Sequence, residues 1–184
     1  MKKLNFIIKC GLALLLLSFY SCESWLNVTP SDRLSEEMLF NDREGFVKAL
    51  NGVYIELNTN ELYGRNLTAG ALDVMGQYYS VASSSHAFYN YGGLVYTGND
   101  EKALFDNMWQ KCYAVIACCN TIIEKCDENK AGLSPVWRGS IKGEALALRA
   151  MLHFDMLRLF GPLTSELDKE SIPYQTNSDQ TVTP

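Results

Sequence analysis

Residues 77–97 hold six aromatic side chains, Tyr78, Tyr79, Phe88, Tyr89, Tyr91 and Tyr96, among Ser, Asn, Gln and Gly, and no charge beyond what His86 takes up. Aromatic rings offer flat apolar faces. Amides and hydroxyls offer neutral donors and acceptors. The stretch follows neither a helical nor an alternating period, so it reads as a long loop, a place where function often sits. Cysteine is the second reactive type. Cys112, Cys119 and Cys126 repeat at seven, on one helix face, with Cys118 beside them. Seven helical residues span about 10 Å along the axis, too far for a disulfide, and no His stands at a zinc spacing. Small buried apolar side chains are the expected reading, for all four. Glu144, Arg149 and Asp155 resemble an acid–base set, but residues five apart on a helix are not the usual i,i+4 pair. Arg149 and His153 are therefore expected to secure helix packing. A Gly-x-Ser-x-Gly elbow, a phosphate loop and a His-Glu-x-x-His pair are all missing. The sequence gives no catalytic residue, no metal ligand and no cofactor motif.

The N-terminus reads as an address. Met1-Lys2-Lys3 and Lys9 form a basic head, and Cys10 to Tyr20 is an almost unbroken apolar run. Eleven residues are too few for a bilayer, which needs about 20; the pattern is that of an export signal. Ser21-Cys22 ends it, and a Cys after a small residue there resembles a bacterial lipoprotein signal, with lipid on Cys22. Residues 19 and 20 are Phe and Tyr, where the usual motif has Leu and a small residue. Residues 22–41 are expected to be a tether, with Trp25 and Leu26 docked on the body. Loss of residues 1–21 removes Lys2, Lys3 and Lys9 and no acid, taking the formal charge from −5 to −8. That balance argues against nucleic acid, which calls for a basic face.

The rest of the chain, 42–184, reads as one helical domain. Asn41 or Asp42 caps a helix over 42–58, with Phe46, Leu50, Val53, Tyr54 and Leu57 as its apolar stripe. A short helix is expected near 66–76. Asn99 or Asp100 caps a long helix over 101–127. Ser134-Pro135 starts another, running to 160, and Gly161-Pro162 ends it. Two long helices joined by so short a turn pack antiparallel, and their remaining apolar surface needs further helices, as in tetratricopeptide-like layers. No 34-residue repeat is visible. After Thr164 the chain turns polar and closes no core, so the sequence is expected to be a truncated N-terminal portion.

These parts occur in a telling order. Asn51-Gly52-Val53-Tyr54 lies on the first helix, and Trp109-x3-Tyr113 and Cys119-Asn120-Thr121-Ile122-Ile123-Glu124 on the second. Then come Gly143-Glu144-Ala145-x2-Leu148-Arg149-Ala150-x2-His153-Phe154-x4-Leu159-Phe160-Gly161-Pro162 and Ile172-Pro173-Tyr174. The whole resembles the N-terminal part of the SusD/RagB family of outer-membrane nutrient-binding lipoproteins. The resemblance implies a mostly α fold of antiparallel helix pairs with long loops. It implies an outward-facing lipid anchor in the outer membrane and a SusC-like, TonB-dependent transporter as partner. Such proteins capture oligosaccharides, some of them peptides, and are binders rather than enzymes. Sugars pair apolar ring faces with hydroxyls, and the 77–97 loop supplies a match for both. Tyr78, Tyr79, Phe88, Tyr89 and Tyr91 are the expected stacking residues, with Gln77, Asn90 and His86 for hydrogen bonds. Two other readings stand beside this one: a helical scaffold for protein partners, and a peptide-binding lid.

Overall fold

A computed structural model describes residues 35–166 and 168–179, without the side chain of Thr164. The expected signal, Cys22, Trp25 and Leu26 lie outside the described residues. The body is mostly helical, with no strand among the described residues. Its elements are α1 (Glu36–Leu39), α2 (Arg43–Leu57), α3 (Ala71–Met75), α4 (Tyr89–Gly92), α5 (Asn99–Glu128) and α6 (Pro135–Phe160), followed by a 3-10 turn, Thr164–Glu166.

Helix α2 starts where its cap dictates. Asp42 Oδ1 accepts the Gly45 N–H at 2.8 Å, which satisfies one of the orphan donors of the first turn. Helix α6 starts in the same way, with Ser134 Oγ accepting from the Trp137 N–H and Pro135 at the first position. Helix α5 differs from expectation. It begins at Asn99, behind Gly98, and no side chain caps it. Glu101 explains this, because its carboxylate folds back over Gly98, where an added Cβ would meet Oε2 at 2.0 Å. Acids at Asp100 and Glu101 suit the positive end of the helix. At the other end Asn129 takes a left-handed conformation (φ 46°). Its Oδ1 accepts the Leu133 N–H at 2.8 Å, which fixes the turn into α6.

Cross-links give the helix directions. Cys112 meets Leu152, Asn120 meets Arg149 and Asp127 meets Lys142, so α5 and α6 are antiparallel. Arg43 lies over the Trp137 ring and the Tyr54 hydroxyl donates to Glu144 at 2.7 Å, so α2 runs in the direction of α6. The ion pair of Lys111 with Glu56 ties α2 to α5. Three helices thus share one core. Phe46, Leu50, Val53 and Leu57 of α2 pack with Met108, Cys112, Ile116, Cys119, Ile122, Leu152 and Met156. The region expected to be tether reaches into this body: Phe40 is buried, its ring 4.9 Å from Phe46, and Lys125 pairs with Glu36 at 2.8 Å. The packed body therefore reaches back at least to α1, ahead of residue 42.

Cys112, Cys119 and Cys126 are buried as expected, and burial pushes the thiols of Cys112 and Cys119 up to about 12. Cys118 is the exception; it sits one residue off that face and is exposed.

The polar positions of α5 and α6 have a shared task that periodicity does not reveal. They hold an extended strap near the end of the described chain. Tyr113 donates to Pro173 O at 2.8 Å. Asn120 is fully buried; its amide donates to Gln175 O and Asn177 O, while its Oδ1 accepts from Arg149 at 2.8 Å. Arg149 also reaches Thr176 O. His153 Nε2 accepts the Gln175 N–H at 3.1 Å. Glu124 accepts from both the N–H and the hydroxyl of Ser178. Arg149 thus joins the two helices, as expected, and His153 fastens a strap as well as packing. Asp155 is engaged too, accepting from the Tyr63 hydroxyl at 2.5 Å. Burial first, and that hydrogen bond next, hold the Tyr63 phenol well above its ordinary range.

Candidate functional site

The 77–97 region is folded against a small core of its own. Ala71 and Val74 of α3 and Tyr91 of α4 are buried together, with Val81, Phe88, Tyr96, Leu104 and Phe105 packed around them. Aromatic edges meet faces in most ring pairs of this cluster. Phe88 and Tyr91 are 5.8 Å apart, and Tyr96 and Phe105 are 5.4 Å apart, both near perpendicular, the arrangement that ring quadrupoles favour. The loop expectation needs one amendment, since a single turn of helix, α4, sits inside the region. Its ring-bearing face supplies the contact that pins the loop.

Backbone and side chains then close the loop around a cleft of about 340 Å³. Gln77 takes a left-handed conformation (φ 60°) just after α3 ends at Gly76. This turns its side chain back, so that Nε2 donates to Gly92 O at 2.9 Å and to Val74 O at 3.3 Å. Tyr79 donates its hydroxyl to the carbonyls of Ala69 and Gly70. Asn90 Nδ2 donates to Glu101 Oε1 at 2.7 Å, which joins the loop to the first turn of α5. Val95 N–H donates to Asn90 O at 2.9 Å. Loop, α3, α4 and α5 are thereby locked together.

The eight residues singled out from the sequence separate into three positions. Gln77, Tyr79, Tyr89 and Asn90 line the cleft together. Tyr78 and His86 are exposed outside its lining; the Tyr78 ring is 83% accessible, and His86 Nδ1 accepts the Phe88 N–H at 3.1 Å. Phe88 and Tyr91 lie behind it. Phe88 is half-buried, with the Arg65 guanidinium 5.8 Å from its ring. Tyr91 is only 2% accessible, and burial pushes its phenol up to about 12. The expectation that Tyr91 stacks on a ligand is corrected: its ring is core, because it fills the gap between α3 and Phe105. Ser80, Val81, Gly92, Gly93 and Val95 complete the lining. The Gly92-Gly93 pair was the available signal for these, since two residues without side chains leave a floor open.

The described residues form a mostly helical body with a short aromatic cleft beside it, and no helix among them is long and apolar enough to cross a membrane. The chain belongs to the SusD-like family: residues 24–184 match the family model described as "Starch-binding associating with outer membrane". It is also similar to SusD-like protein P2 of Formosa agariphila, at 25% identity over 166 residues. That match covers 88% of this chain and 30% of the relative, so the chain spans about a third of the relative's length. No solved structure matches.

Proposed function

We propose that this chain is a surface-facing outer-membrane lipoprotein that binds nutrient oligosaccharides and delivers them to a SusC-like, TonB-dependent transporter. It is anchored by lipid on Cys22, and it binds rather than converts its ligand. Membership of a family described as starch-binding and associated with the outer membrane supports the coarse part of this reading. The observation that carries the ligand part is the cleft, where exposed Tyr79 and Tyr89 stand beside the amides of Gln77 and Asn90. Tyr78 and His86 lie exposed on the same loop, outside the lining. Phe88 and Tyr91 support the loop from behind.

The test is calorimetric titration of the full chain with a panel of oligosaccharides, starting from maltoheptaose, before and after single replacement of Tyr78, Tyr79 and Tyr89 by Ala. A stacking ring contributing about 1 kcal/mol corresponds to about a fivefold loss of affinity. Unchanged affinity in all three folded variants removes the cleft as the binding site.

One observation favours the scaffold reading. The side of α6 facing away from the core exposes Met151, Phe154 and Leu157, an apolar row of the kind that protein partners cover. Under that reading the chain holds a protein partner through this face: Phe154→Lys abolishes that association, the tyrosine replacements leave it unchanged, and no oligosaccharide of the panel binds. A peptide ligand in place of a sugar is read out by the same titration with a peptide panel.

A further inference from the structure

The orientation of the two amides in the cleft carries an inference about ligand charge. Gln77 Nε2 faces two backbone carbonyls, and carbonyls only accept. Asn90 Nδ2 faces a Glu101 carboxylate oxygen. Both N–H groups of the Gln77 nitrogen and one of the two on Asn90 are thereby spent on the protein, and each side chain keeps its oxygen, Oε1 of Gln77 or Oδ1 of Asn90, to accept. The Tyr79 hydroxyl is likewise spent on the Ala69 and Gly70 carbonyls, which leaves its ring face and its oxygen lone pairs. With the hydroxyls of Tyr89 and Ser80 beside them, the lining offers neutral donors and acceptors. None of its nine residues carries a formal charge. The carboxylate immediately behind Asn90 belongs to Glu101, which is buried and held in the first turn of α5. Arg65, the cation beside this loop, is turned to Asn66 Oδ1 and the Phe88 ring.

We propose that this cleft takes uncharged, hydroxyl-rich saccharides and rejects those bearing uronate or sulfate groups. The inference rests on the cleft being the ligand site. A sugar hydroxyl donates and accepts, so it satisfies the amide oxygens and the neutral donors alike. A carboxylate or sulfate only accepts, so it gains nothing from the amide oxygens, loses water and finds the Glu101 carboxylate rather than a cation nearby. Binding of an uncharged ligand also varies little with ionic strength, since no ion pair forms to be screened.

The experiment compares pairs of oligosaccharides matched in length and linkage, differing in whether C6 is a hydroxymethyl group or a carboxylate. β-1,4-Manno-oligosaccharides with β-1,4-oligomannuronates, and cello-oligosaccharides with β-1,4-oligoglucuronates, are suitable. The full chain, its Tyr89→Ala variant and its Ser80→Lys variant are titrated at low and high salt. Tyr89 and Ser80 are exposed, so both variants keep the fold. The expected result is at least about tenfold tighter binding of an uncharged member, lost in Tyr89→Ala and insensitive to salt. Ser80→Lys, which places an ammonium on the lining, is expected to raise affinity for the acidic member. Tyr89-dependent binding that is equal or tighter for the acidic member overturns the charge inference and leaves the cleft as the site. Binding indifferent to Tyr89→Ala, or no binding by either member of any pair, overturns the cleft reading and the inference with it.

Discussion

At the scale of single residues, accessibility separates tyrosines that a sequence presents as equals. Tyr91 fills a core, whereas Tyr78 and Tyr89 project into solvent. Tyr91→Ala is expected to cost about 3–4 kcal/mol of stability, as large-to-small core changes do. Tyr78→Ala and Tyr89→Ala are expected to stay within about 0.5 kcal/mol; urea unfolding of the three variants reads the difference. His153 makes a different prediction. Its Nε2 accepts the Gln175 N–H and its Nδ1 lies 2.9 Å from Arg149 O, so the ring is neutral with the proton on Nδ1. Burial lowers its pKa below the ordinary 6.5, against the opposing pull of the Arg149 carbonyl. The unfolded chain therefore takes up the proton more readily than the folded one. His153 favours the fold above pH 6.5, and that contribution falls away as pH drops through 6.5 toward the lower folded value. Wild type is expected to lose unfolding free energy between pH 7.5 and 5.5 more steeply than His153→Gln, and equal slopes would refute the strap contact. The sequence named Arg149 and His153 as packing residues, which is half of their role. The other half lay hidden because a strap bound through carbonyls and N–H groups uses backbone, which carries no residue signature.

Elements were legible in proportion to their periodicity. Helices α2, α5 and α6 each bury a stripe at helical spacing, and that stripe is written in the side chains themselves. The cap of α6 was equally plain, because Ser134-Pro135 is a local motif. The start of α5 was misplaced for a physical reason: Glu101 folds back over Gly98 and holds Asn90, contacts that the helical period does not encode. Turn α4 was missed because four residues make a single helical turn, too few for a stripe to repeat. Loop contents were readable and loop geometry was not, so four of the eight candidate residues reached the cleft while Tyr91 turned inward. Two predictions belong here. Ser134→Ala is expected to cost about 1 kcal/mol in unfolding free energy through the lost cap. Gly98→Ala is expected to act on the cleft instead. Its φ of −72° suits any residue, but the new Cβ meets the Glu101 carboxylate and pushes it from Asn90. The expected outcome is weaker oligosaccharide binding with nearly unchanged far-UV circular dichroism; unchanged affinity would show that Asn90 holds its place without Glu101.

For the molecule as a whole, the proposed anchor and the net charge make opposing demands on membrane attachment, and they can be told apart. With residues 1–21 removed the chain carries a formal charge of −8. Anionic headgroups and lipopolysaccharide phosphates repel such a chain, so electrostatics contributes nothing to holding it. Attachment then rests on acyl chains, each buried CH₂ contributing about 0.8 kcal/mol, with more than one chain needed for a stable anchor. Protein-mediated docking on a transporter is the other available hold, and it differs in its response to salt and to Cys22. Acyl anchoring is indifferent to ionic strength, because the transfer of hydrocarbon involves no charge to screen. Cells making the full chain are expected to retain it in washed outer membranes through about 1 M salt, where the Debye length shrinks to about 3 Å, and to release it with detergent. Cys22→Ser, made with the export signal intact, is expected to shift the protein to the soluble fraction while leaving its unfolding midpoint unchanged, since the substitution alters one side-chain atom and none of the core of α2, α5 and α6. Retention of the Cys22→Ser protein in salt-washed membranes would mean that the apolar face of α6, or the partner that covers it, holds the chain in place of lipid.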